Sequence, residues 1–558
     1  MQEDNNISET KVKDLTIISN TELSIWEALI PVVILMGLLA YNIFFVEDQE
    51  WFGAYTNQII LLLGAGVAII DGLFNKVSIR LMVKEIWENL RSVFVPIMIL
   101  FLVGALAGTW LVSGIIPAMV YYGLQVLSPE IFLPASVIIA AIISIATGSS
   151  WTTSATVGIA LIGIGSTLGI PTGMIAGAVI SGAYFGDKMS PLSDTTNLAP
   201  AMAGTDLFTH IRYMSLTTVP TIIVTLIVFT ILSTTVETNG NTDTAFLLET
   251  IRTNFNITPW LFVVPLTVIA LILFKVKPLI ALLTGVVLAA IFALVFQTDV
   301  INKLSSSKVD VISNAVLTDT NIEIPNEEYV ATFTKEELDV IKSNDDLNNI
   351  FTDDDVENIY TKEDLENVFV GLSLSQTEAA TKAENLEKLI TIKRLKKLFG
   401  SGGMNGMLWT IFLIVCAMVF GGVMDAIGAL SRITQALLKM ATSVFGLFAS
   451  TVASCLGLNV IASDQYLALV IPGKMFKQAY EDRGLAPENL SRTLEDSGTV
   501  TSVLIPWNTC GAYQSGVLGV GVSEYFFYAI FNWLSPFTTL LFAAFQIKIK
   551  QLQGKTAS

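Results

Sequence analysis

The stretch Ser181-Gly-Ala-Tyr-Phe-Gly-Asp-Lys-Met-Ser-Pro-Leu-Ser-Asp-Thr-Thr-Asn197 interrupts an otherwise apolar segment with polar side chains and a proline. The segment begins near Pro171, and a proline suits the first turn of a helix. Pro191 removes a backbone hydrogen bond and clashes with the preceding turn, so we expect the helix to break there and to free carbonyl oxygens. Asp187 and Asp194 flank the break. The stretch therefore predicts a broken helix beside ionisable side chains.

The composition of the whole chain is that of a membrane protein. Of its 558 residues, 53% are hydrophobic and 14% are charged. A soluble protein of this composition could not bury all of its apolar side chains. A bilayer core needs roughly 20 apolar residues per helix, and such runs recur often enough for about nine to eleven crossings. The sequence predicts an all-α polytopic membrane protein whose partner is the lipid bilayer, and no feature points to nucleic acid.

The few histidines and cysteines exclude several kinds of site. Cys416, Cys455 and Cys510 lie inside apolar segments and lack metal-ligand spacing. One histidine, His210, cannot form a His-cluster metal site or a chain of histidines that relays protons. We therefore expect no cofactor and a proton carrier that is a carboxylate, and we expect His210 to be a solvated loop residue.

Positive charge predicts the orientation, because Lys and Arg near helix ends stay on the cytoplasmic side. Residues 75–91 carry four basic side chains and residues 114–129 carry none; continued along the chain, this count puts both termini in the cytoplasm. The net charge of −17 is concentrated in an insertion whose sparse apolar residues fit either a small helical domain or a partly disordered loop. We divide the chain into N-terminal helices (1–91), a first membrane repeat (92–236), linking helices (237–297), an acidic soluble extracytoplasmic insertion with its linker (298–404), a second membrane repeat (405–548) and a cytoplasmic tail (549–558).

The two membrane halves resemble each other. Gly169 falls on Gly484 and Pro191 falls on Pro506, an offset of 315 residues, and further upstream the offset changes by one. The charge count orients the halves oppositely, which predicts two inverted-topology repeats of the kind found in secondary transporters.

Each repeat is also expected to contain a re-entrant hairpin. The orientation requires an even number of crossings within residues 131–169 and again within 442–473, and polar groups interrupt both stretches near their middle. Broken backbone at membrane depth is tolerated only where it is buried or lines a wet cavity. We therefore expect a site where two hairpins and the broken helices meet.

Oxygen atoms at these breaks would suit a small hard cation. A carboxylate there can hold either the cation or a proton, so competition for it is an exchange mechanism. Asp194 is the first expected carrier, followed by Asp187 and Asp464. For Asp194 and Asp187, pairing with Lys188 or capping of a half-helix is the alternative role. The remaining candidates for ion coordination are Ser149, Ser150, Thr152, Ser190, Ser193, Thr195, Thr196, Asn197, Asn459, Ser463, Asn508 and Thr509.

Three further carboxylates, Asp425, Glu495 and Asp496, are expected nearer a membrane face, where solvation is the ordinary outcome. Intramembrane ionisable residues are functional candidates by default, because burying one is costly. We therefore rank these three below Asp187 and Asp464.

The runs Thr147–Gly158, Ser181–Asn197 and His210–Tyr213 closely resemble the NhaC-type sodium/proton antiporters of the ion-transporter superfamily. The resemblance implies a bacterial cytoplasmic-membrane protein with Na⁺ and H⁺ as substrates, which extrudes sodium in exchange for protons. It is compatible with a homodimer, and it does not cover the acidic insertion.

Relatives in that family exchange malate with protons for lactate with sodium, and this is the alternative function. A dicarboxylate substrate is normally bound by an arginine side chain, and the broken segments contain no arginine. A channel would need a continuous pore, and an enzyme would need a nucleophile or a metal constellation; the sequence shows neither.

Overall fold

The structure is a computed structural model, and it describes residues 18, 20, 23–46, 51–235, 244–305, 307–344, 347–351, 362–369 and 374–552. Most of residues 1–22, which the sequence assigns to the N-terminal helices, and residues 553–558 of the predicted tail lie outside these ranges. Within them, eight helices are long and apolar enough to cross a membrane, or nine if one pair bent by 83° is a single span. The prediction of a polytopic helical membrane protein is confirmed, near the lower end of the expected number of crossings.

The chain begins with helices that pack on one another and on the second half. Ser24 and Glu27 form a capping box at the start of the first helix, which satisfies two backbone groups at its end. The elements are α1 (Ile25–Phe45), β1 (Trp51–Ala54), α2 (Thr56–Phe74), α3 (Ile79–Ser92), α4 (Phe94–Val112) and α5 (Ile115–Val126).

The first broken region follows. Its elements are α6 (Pro129–Thr147), α7 (Ser150–Thr153), a π-helical turn (Ser154–Gly158), α8 (Ile159–Thr167), α9 (Thr172–Met189), α10 (Asp194–Ala203) and α11 (Leu207–Thr235).

Linking helices and the insertion come next. The elements are α12 (Thr244–Asn254), a 3₁₀ turn (Pro259–Phe262), α13 (Val263–Leu273), α14 (Pro278–Phe296), α15 (Thr298–Leu304), α16 (Lys308–Leu317), β2 (Thr320–Asn321), α17 (Glu327–Val330), α18 (Lys335–Ser343), a 3₁₀ turn (Asn348–Ile350), α19 (Lys362–Asn367), α20 (Gln376–Leu398), β3 (Gly400–Ser401), antiparallel to β2, and α21 (Gly403–Gly406).

The second broken region closes the chain. Its elements are α22 (Leu408–Ala426), α23 (Ala429–Met440), α24 (Val444–Ile461), α25 (Gln465–Asp482), α26 (Pro487–Leu494), a π-helical turn (Glu495–Thr499), a 3₁₀ turn (Ser502–Leu504), α27 (Thr509–Leu518), α28 (Val522–Tyr525) and α29 (Ile530–Ala544).

The backbone repeats with the offset that the sequence predicts. The bounds of α22 and α23 lie 314 residues after those of α4 and α5, and α27 has the bounds of α10 shifted by 315. Left-handed backbone recurs at the same register, with Gly148 (φ 70°) matched by Ser463 (φ 58°) and Gly204 (φ 90°) by Gly519 (φ 66°). The repeat is therefore present in the structure, whereas the opposite orientation of its halves in the membrane stays a prediction.

Contacts between the halves also occur in matched pairs. A Cβ on Gly158 would meet Leu518 at 2.9 Å, and a Cβ on Gly473, its counterpart, would meet Met202 at 2.7 Å. Matched positions of the two halves therefore each pack against the opposite half.

The first hairpin is visible in how α9 lies along α6. A Cβ on Gly182 would overlap the carbonyl oxygen of Val137, and one on Gly186 would overlap that of Ala141. Both contacts advance in the same direction, so α6 and α9 are parallel and the chain between them must run back. Only glycine permits such close approach, so small residues form the face of α9 that packs on α6.

The insertion contains a small hydrophobic core of its own. Phe333, Ile341, Leu365, Phe369 and Leu386 are among its buried members. The described part is thus a small helical domain, one of the two expected forms; its acidic stretches 345–346 and 352–355 lie outside the described residues.

The start of the predicted insertion packs on the membrane helices. A Cβ on Gly108 of α4 would overlap the carbonyl oxygen of Ala315 in α16. Residues up to about the end of α16 therefore belong structurally with the helical body.

Candidate functional site

Asp187 lies where the first hairpin turns. Gly148 adopts left-handed backbone, Ser149 caps the backbone N–H of Thr152 at 3.2 Å, and α7 begins at Ser150. The carboxylate of Asp187, in the last turn of α9, accepts hydrogen bonds from the N–H and the hydroxyl of Ser150, both on Oδ2, at 3.1 and 2.7 Å. Asp187 is 9% exposed. Two predicted site residues 37 positions apart are therefore in direct contact, at the positive end of a short helix.

The break at Pro191 exposes backbone oxygens, but side chains of the same segment occupy them. The hydroxyl of Thr196 donates to the carbonyl oxygens of Asp187 and Lys188 at 3.2 and 3.1 Å. The amide of Asn197 donates to the carbonyl of Pro191 at 3.0 Å. The expectation that freed carbonyls face an ion is not met for these three.

The hydroxyls of the break divide between two directions. Ser190 donates to the carbonyl of Ile145 at 2.8 Å and so ties the break to α6. Ser193 caps α10 and lies 3.2 Å from the hydroxyl of Thr195, which in turn donates to Oε1 of Glu495 at 3.0 Å. The segment thus connects the first half to the second.

Asp194 is exposed, although the sequence analysis expected it to be buried. It occupies the first turn of α10, where a carboxylate stabilises the helix N-terminus. The hydroxyl of Tyr466, in the first turn of α25, lies 3.5 Å from Oδ2 of Asp194.

The second hairpin repeats the first with different side chains. Asp464, the counterpart of Ser149, is buried and caps α25 by accepting from the N–H groups of Tyr466 and Leu467 at 2.8 and 3.0 Å. Ser463 precedes it in left-handed backbone, and its carbonyl accepts from the N–H of Thr509 at 3.0 Å. Asp464 therefore caps the N-terminus of α25, a role that the sequence analysis did not consider for it.

The two predicted amides of the second half bind each other. Asn508 caps α27 and donates to the carbonyl of Asn459 at 3.0 Å, while Asn459 donates to the carbonyl of Gly498 at 2.7 Å. Both are fully buried. Their side chains hold the second break to the π-helical turn.

Two carboxylates that the sequence analysis ranked low are central. Glu495 and Asp496, on the second π-helical turn, are both 0% exposed, so the expectation that they are solvated is wrong. Asp496 forms an ion pair with Lys188 and also accepts from Thr217 and Thr539. Lys188 therefore pairs across the halves and not with Asp187. The repeat register contained the signal, because it matches Asp496 with Ser181 in the middle of α9.

Two basic side chains near this turn are buried as well. His210 is fully buried with Nδ1 at 2.8 Å from the hydroxyl of Ser491, so the expectation of a solvated loop residue is wrong. Arg492 lies 4.7 Å from the ring centre of Tyr213 and 5.8 Å from that of Phe542, and none of its guanidinium nitrogens has a hydrogen-bond partner in the described part of the chain.

Comparison with known proteins identifies the family. Residues 182–309 and 362–547 match the model of the Na⁺/H⁺ antiporter family. The chain is 33% identical over 476 residues to the Na⁺/H⁺ antiporter NhaC of Alkalihalophilus pseudofirmus, covering 84% of this chain and 87% of the relative. It is 31% identical over 481 residues to the malate-2H⁺/Na⁺-lactate antiporter of Bacillus subtilis, covering 86% of each.

Among solved structures, one titled "Structure and Function of Neisseria gonorrhoeae MtrF Illuminates a Class of Antimetabolite Efflux Pumps" covers 96% of this chain and 97% of its own at 13% identity. Its TM-score of 0.25 is too low to bear on the fold. The family match and the NhaC relative are sufficient without it: the chain belongs to the Na⁺/H⁺ antiporter family and is a multi-pass membrane antiporter.

Proposed function

We propose that the protein extrudes Na⁺ across the bacterial cytoplasmic membrane in exchange for H⁺, and that the two ions compete for the carboxylate of Asp187. The observation that carries the proposal is the geometry of this carboxylate. It is buried beside a helix break, and both donors of Ser150 bond to its Oδ2. The second oxygen, Oδ1, is then the position for a cation or a proton.

Neighbouring hydroxyls complete a suitable oxygen set. The Ser150 hydroxyl keeps lone pairs free while it donates to Oδ2 of Asp187, and the hydroxyls of Ser193 and Thr195 follow the same break. Small hard cations are held by carboxylate and hydroxyl oxygens that replace water. A carboxylate that neutralises one positive charge holds either Na⁺ or H⁺, so the arrival of one expels the other.

The contacts between the two matched halves support alternating access. Repeats that rock against each other around a fixed midplane site expose it first to one side and then to the other. Asp187 lies at the end of α9, the helix that packs on α6 of its own half and reaches the second half through the Lys188–Asp496 pair. Relative movement of the halves would therefore change access to Asp187.

Proteoliposomes test this function directly. With purified protein and no organic acid present, an inward Na⁺ gradient should drive H⁺ out of the vesicles, read as lumenal alkalinisation by a pH-sensitive dye. Vesicles without protein, and gradients of choline in place of Na⁺, are the controls. H⁺ movement that appears only after malate or lactate is added would refute Na⁺/H⁺ exchange.

Exchange of organic acids is the second candidate, and one structural observation favours it. The N-termini of α7, α10, α25 and α27 all lie at the breaks. Two direct contacts join them, Thr509 with Ser463 and Tyr466 with Asp194. Helix N-termini bind anions well. The assay above separates the candidates, because a carboxylate exchanger requires its organic substrate.

A further inference from the structure

We propose that Glu495, together with the hydroxyls of Thr195 and Thr499, forms a second Na⁺ site next to the one at Asp187. This inference rests on the proposed function, since it assumes that Na⁺ is a substrate. It assigns a ligand role to a residue that the sequence places outside the recognised motif.

The carboxylate of Glu495 has an open coordination position. Its Oε1 accepts from the Thr195 hydroxyl at 3.0 Å, whereas its Oε2 is buried and has no hydrogen-bond partner among the described residues. The hydroxyl of Thr499, four residues further along the same π-helical turn, is likewise buried and has no hydrogen-bond partner in the described part of the chain. Buried polar atoms are normally satisfied, so the unpartnered oxygens indicate a missing ligand.

The adjacent carboxylate, that of Asp496, has a partner for both of its oxygens. Asp496 is neutralised by the ammonium group of Lys188 and accepts from the hydroxyls of Thr217 and Thr539. Lys188 also donates to the hydroxyl of Ser535 at 3.2 Å. The protein's own cation is therefore engaged by Asp496 and does not ion-pair with Glu495.

Charge balance across the region points the same way. Three buried carboxylates, those of Asp187, Glu495 and Asp496, face one buried ammonium group, that of Lys188. The other buried cation, Arg492, lies between two aromatic rings and makes no hydrogen bond to Glu495. Isolated buried charges are very costly. Among the described residues, neither Asp187 nor Glu495 has an ion-pair partner, so each is a position where a bound cation would neutralise the carboxylate.

The donor set selects a small hard cation. The side chains that meet at Glu495 offer carboxylate and hydroxyl oxygens, which suit Na⁺, whereas transition metals prefer nitrogen or sulfur ligands. The segment after Pro191 connects the two sites, because the Thr196 hydroxyl donates to the backbone carbonyl of Asp187 at 3.2 Å and the Thr195 hydroxyl donates to Glu495 at 3.0 Å. Occupation of the two positions is therefore expected to be linked.

Equilibrium binding of radioactive ²²Na⁺ to the purified full-length protein tests the proposal. Glu495→Gln alone should halve the number of Na⁺ ions bound at saturation. Asp187→Asn alone should also halve it, and the two substitutions together should abolish Na⁺ binding. Thr499→Val keeps the charge and should weaken Na⁺ binding several-fold without changing the saturating number. Thr225→Val, which removes a buried hydroxyl bonded only within α11, should bind like the unmodified protein.

The outcomes separate the two proposals. If Glu495→Gln binds as many Na⁺ ions as the unmodified protein, or if Thr499→Val leaves the affinity unchanged, the second site is refuted while the site at Asp187 stands. If the unmodified protein binds no Na⁺, the proposed function fails and this inference fails with it. Should Glu495→Gln not fold, the affinity of Thr499→Val decides alone.

Discussion

The ion pair between Lys188 and Asp496 gives the sharpest prediction about stability, because it joins the two halves inside the membrane body. Both side chains are 0% exposed. Breaking a buried pair by removing one partner costs about 3–5 kcal/mol, since the other charge stays buried. We therefore expect Lys188→Met and Asp496→Asn each to lower the free energy of unfolding by an amount in this range.

The surroundings of the two charges predict which variant suffers more. In Lys188→Met, the remaining carboxylate keeps the hydroxyl donors of Thr217 and Thr539, so the loss should be near the low end. In Asp496→Asn, the ammonium group keeps the Ser535 hydroxyl at 3.2 Å, the ring of Phe531 at 5.5 Å and the neutral amide oxygen of the asparagine, but it has no ion-pair partner in the described part of the chain. A desolvated cation–π contact is worth about 2 kcal/mol, less than a carboxylate partner. Asp496→Asn should therefore be the more destabilised variant.

A double-mutant cycle measures the pair itself. Lys188→Met with Asp496→Asn leaves no unpaired charge, so the double variant should be more stable than the sum of the single losses by up to about 3 kcal/mol. Unfolding of the purified protein in detergent, followed by intrinsic fluorescence under one set of conditions, gives all four values. Single losses that simply add, or single losses within error of zero, would refute the pair as a structural tie between the halves.

Two further predictions concern packing and pH. Gly186→Val should lower the melting temperature and the yield of folded protein, because the Cβ of the new side chain would overlap the Ala141 carbonyl and overpacking typically costs about 1–3 kcal/mol. Gly66→Ala is the control, since a Cβ at Gly66 meets nothing within 4 Å. Equal melting temperatures of the two variants would contradict the close approach of α9 and α6. In the insertion, burial raises the pKa of Glu337, but its 2.8 Å contact with Lys382 and the cap of Thr334 outweigh this and lower the pKa below 4.5. A carboxylate whose pKa is lower in the folded than in the unfolded protein stabilises the fold above the unfolded-state pKa, and this stability is lost as the pH falls through the folded-state pKa. Proteolysis of the insertion should therefore accelerate below about pH 4.5, and Lys382→Met should make the rate of proteolysis less dependent on pH. A variant with the same pH profile as the unmodified protein would show that the contact between Glu337 and Lys382 plays no part.

Much of the fold could be read from the sequence because glycine and proline mark the breaks. Gly204 and Gly519 both adopt left-handed backbone, and Pro191 and Pro506 both lie in breaks, so their recurrence at a fixed offset predicts where helices stop. The sequence could not decide whether the insertion folds, because its sparse apolar residues form a core through contacts between residues far apart in the chain, such as Phe333 and Phe369.

The sequence named candidate residues for the site, but it did not predict which of them are in contact. Ser150 and Asp187 were both named, yet their direct contact depends on how α7 folds back beside α9. The exposure of Asp194 depends on which side of α10 faces the protein, and one turn of a short helix does not reveal it.

The importance of Glu495 and Asp496 was missed for a different reason. Hydropathy places charged residues at helix ends, because a lone charge in lipid is costly. Here Lys188, far away in the sequence, removes much of that cost for Asp496, and a pattern read within one segment does not include such a partner.

The most direct test of the central claim compares Asp187→Asn with Asp194→Asn in proteoliposomes that contain equal amounts of folded protein and no organic acid. Asparagine keeps the shape of the side chain but cannot hold a proton or balance a sodium ion. We predict that Asp187→Asn abolishes H⁺ movement driven by a Na⁺ gradient, while the exposed Asp194 tolerates the change with a smaller loss. Undiminished exchange by Asp187→Asn would contradict the account and transfer the exchanging role to Asp194 or Asp464.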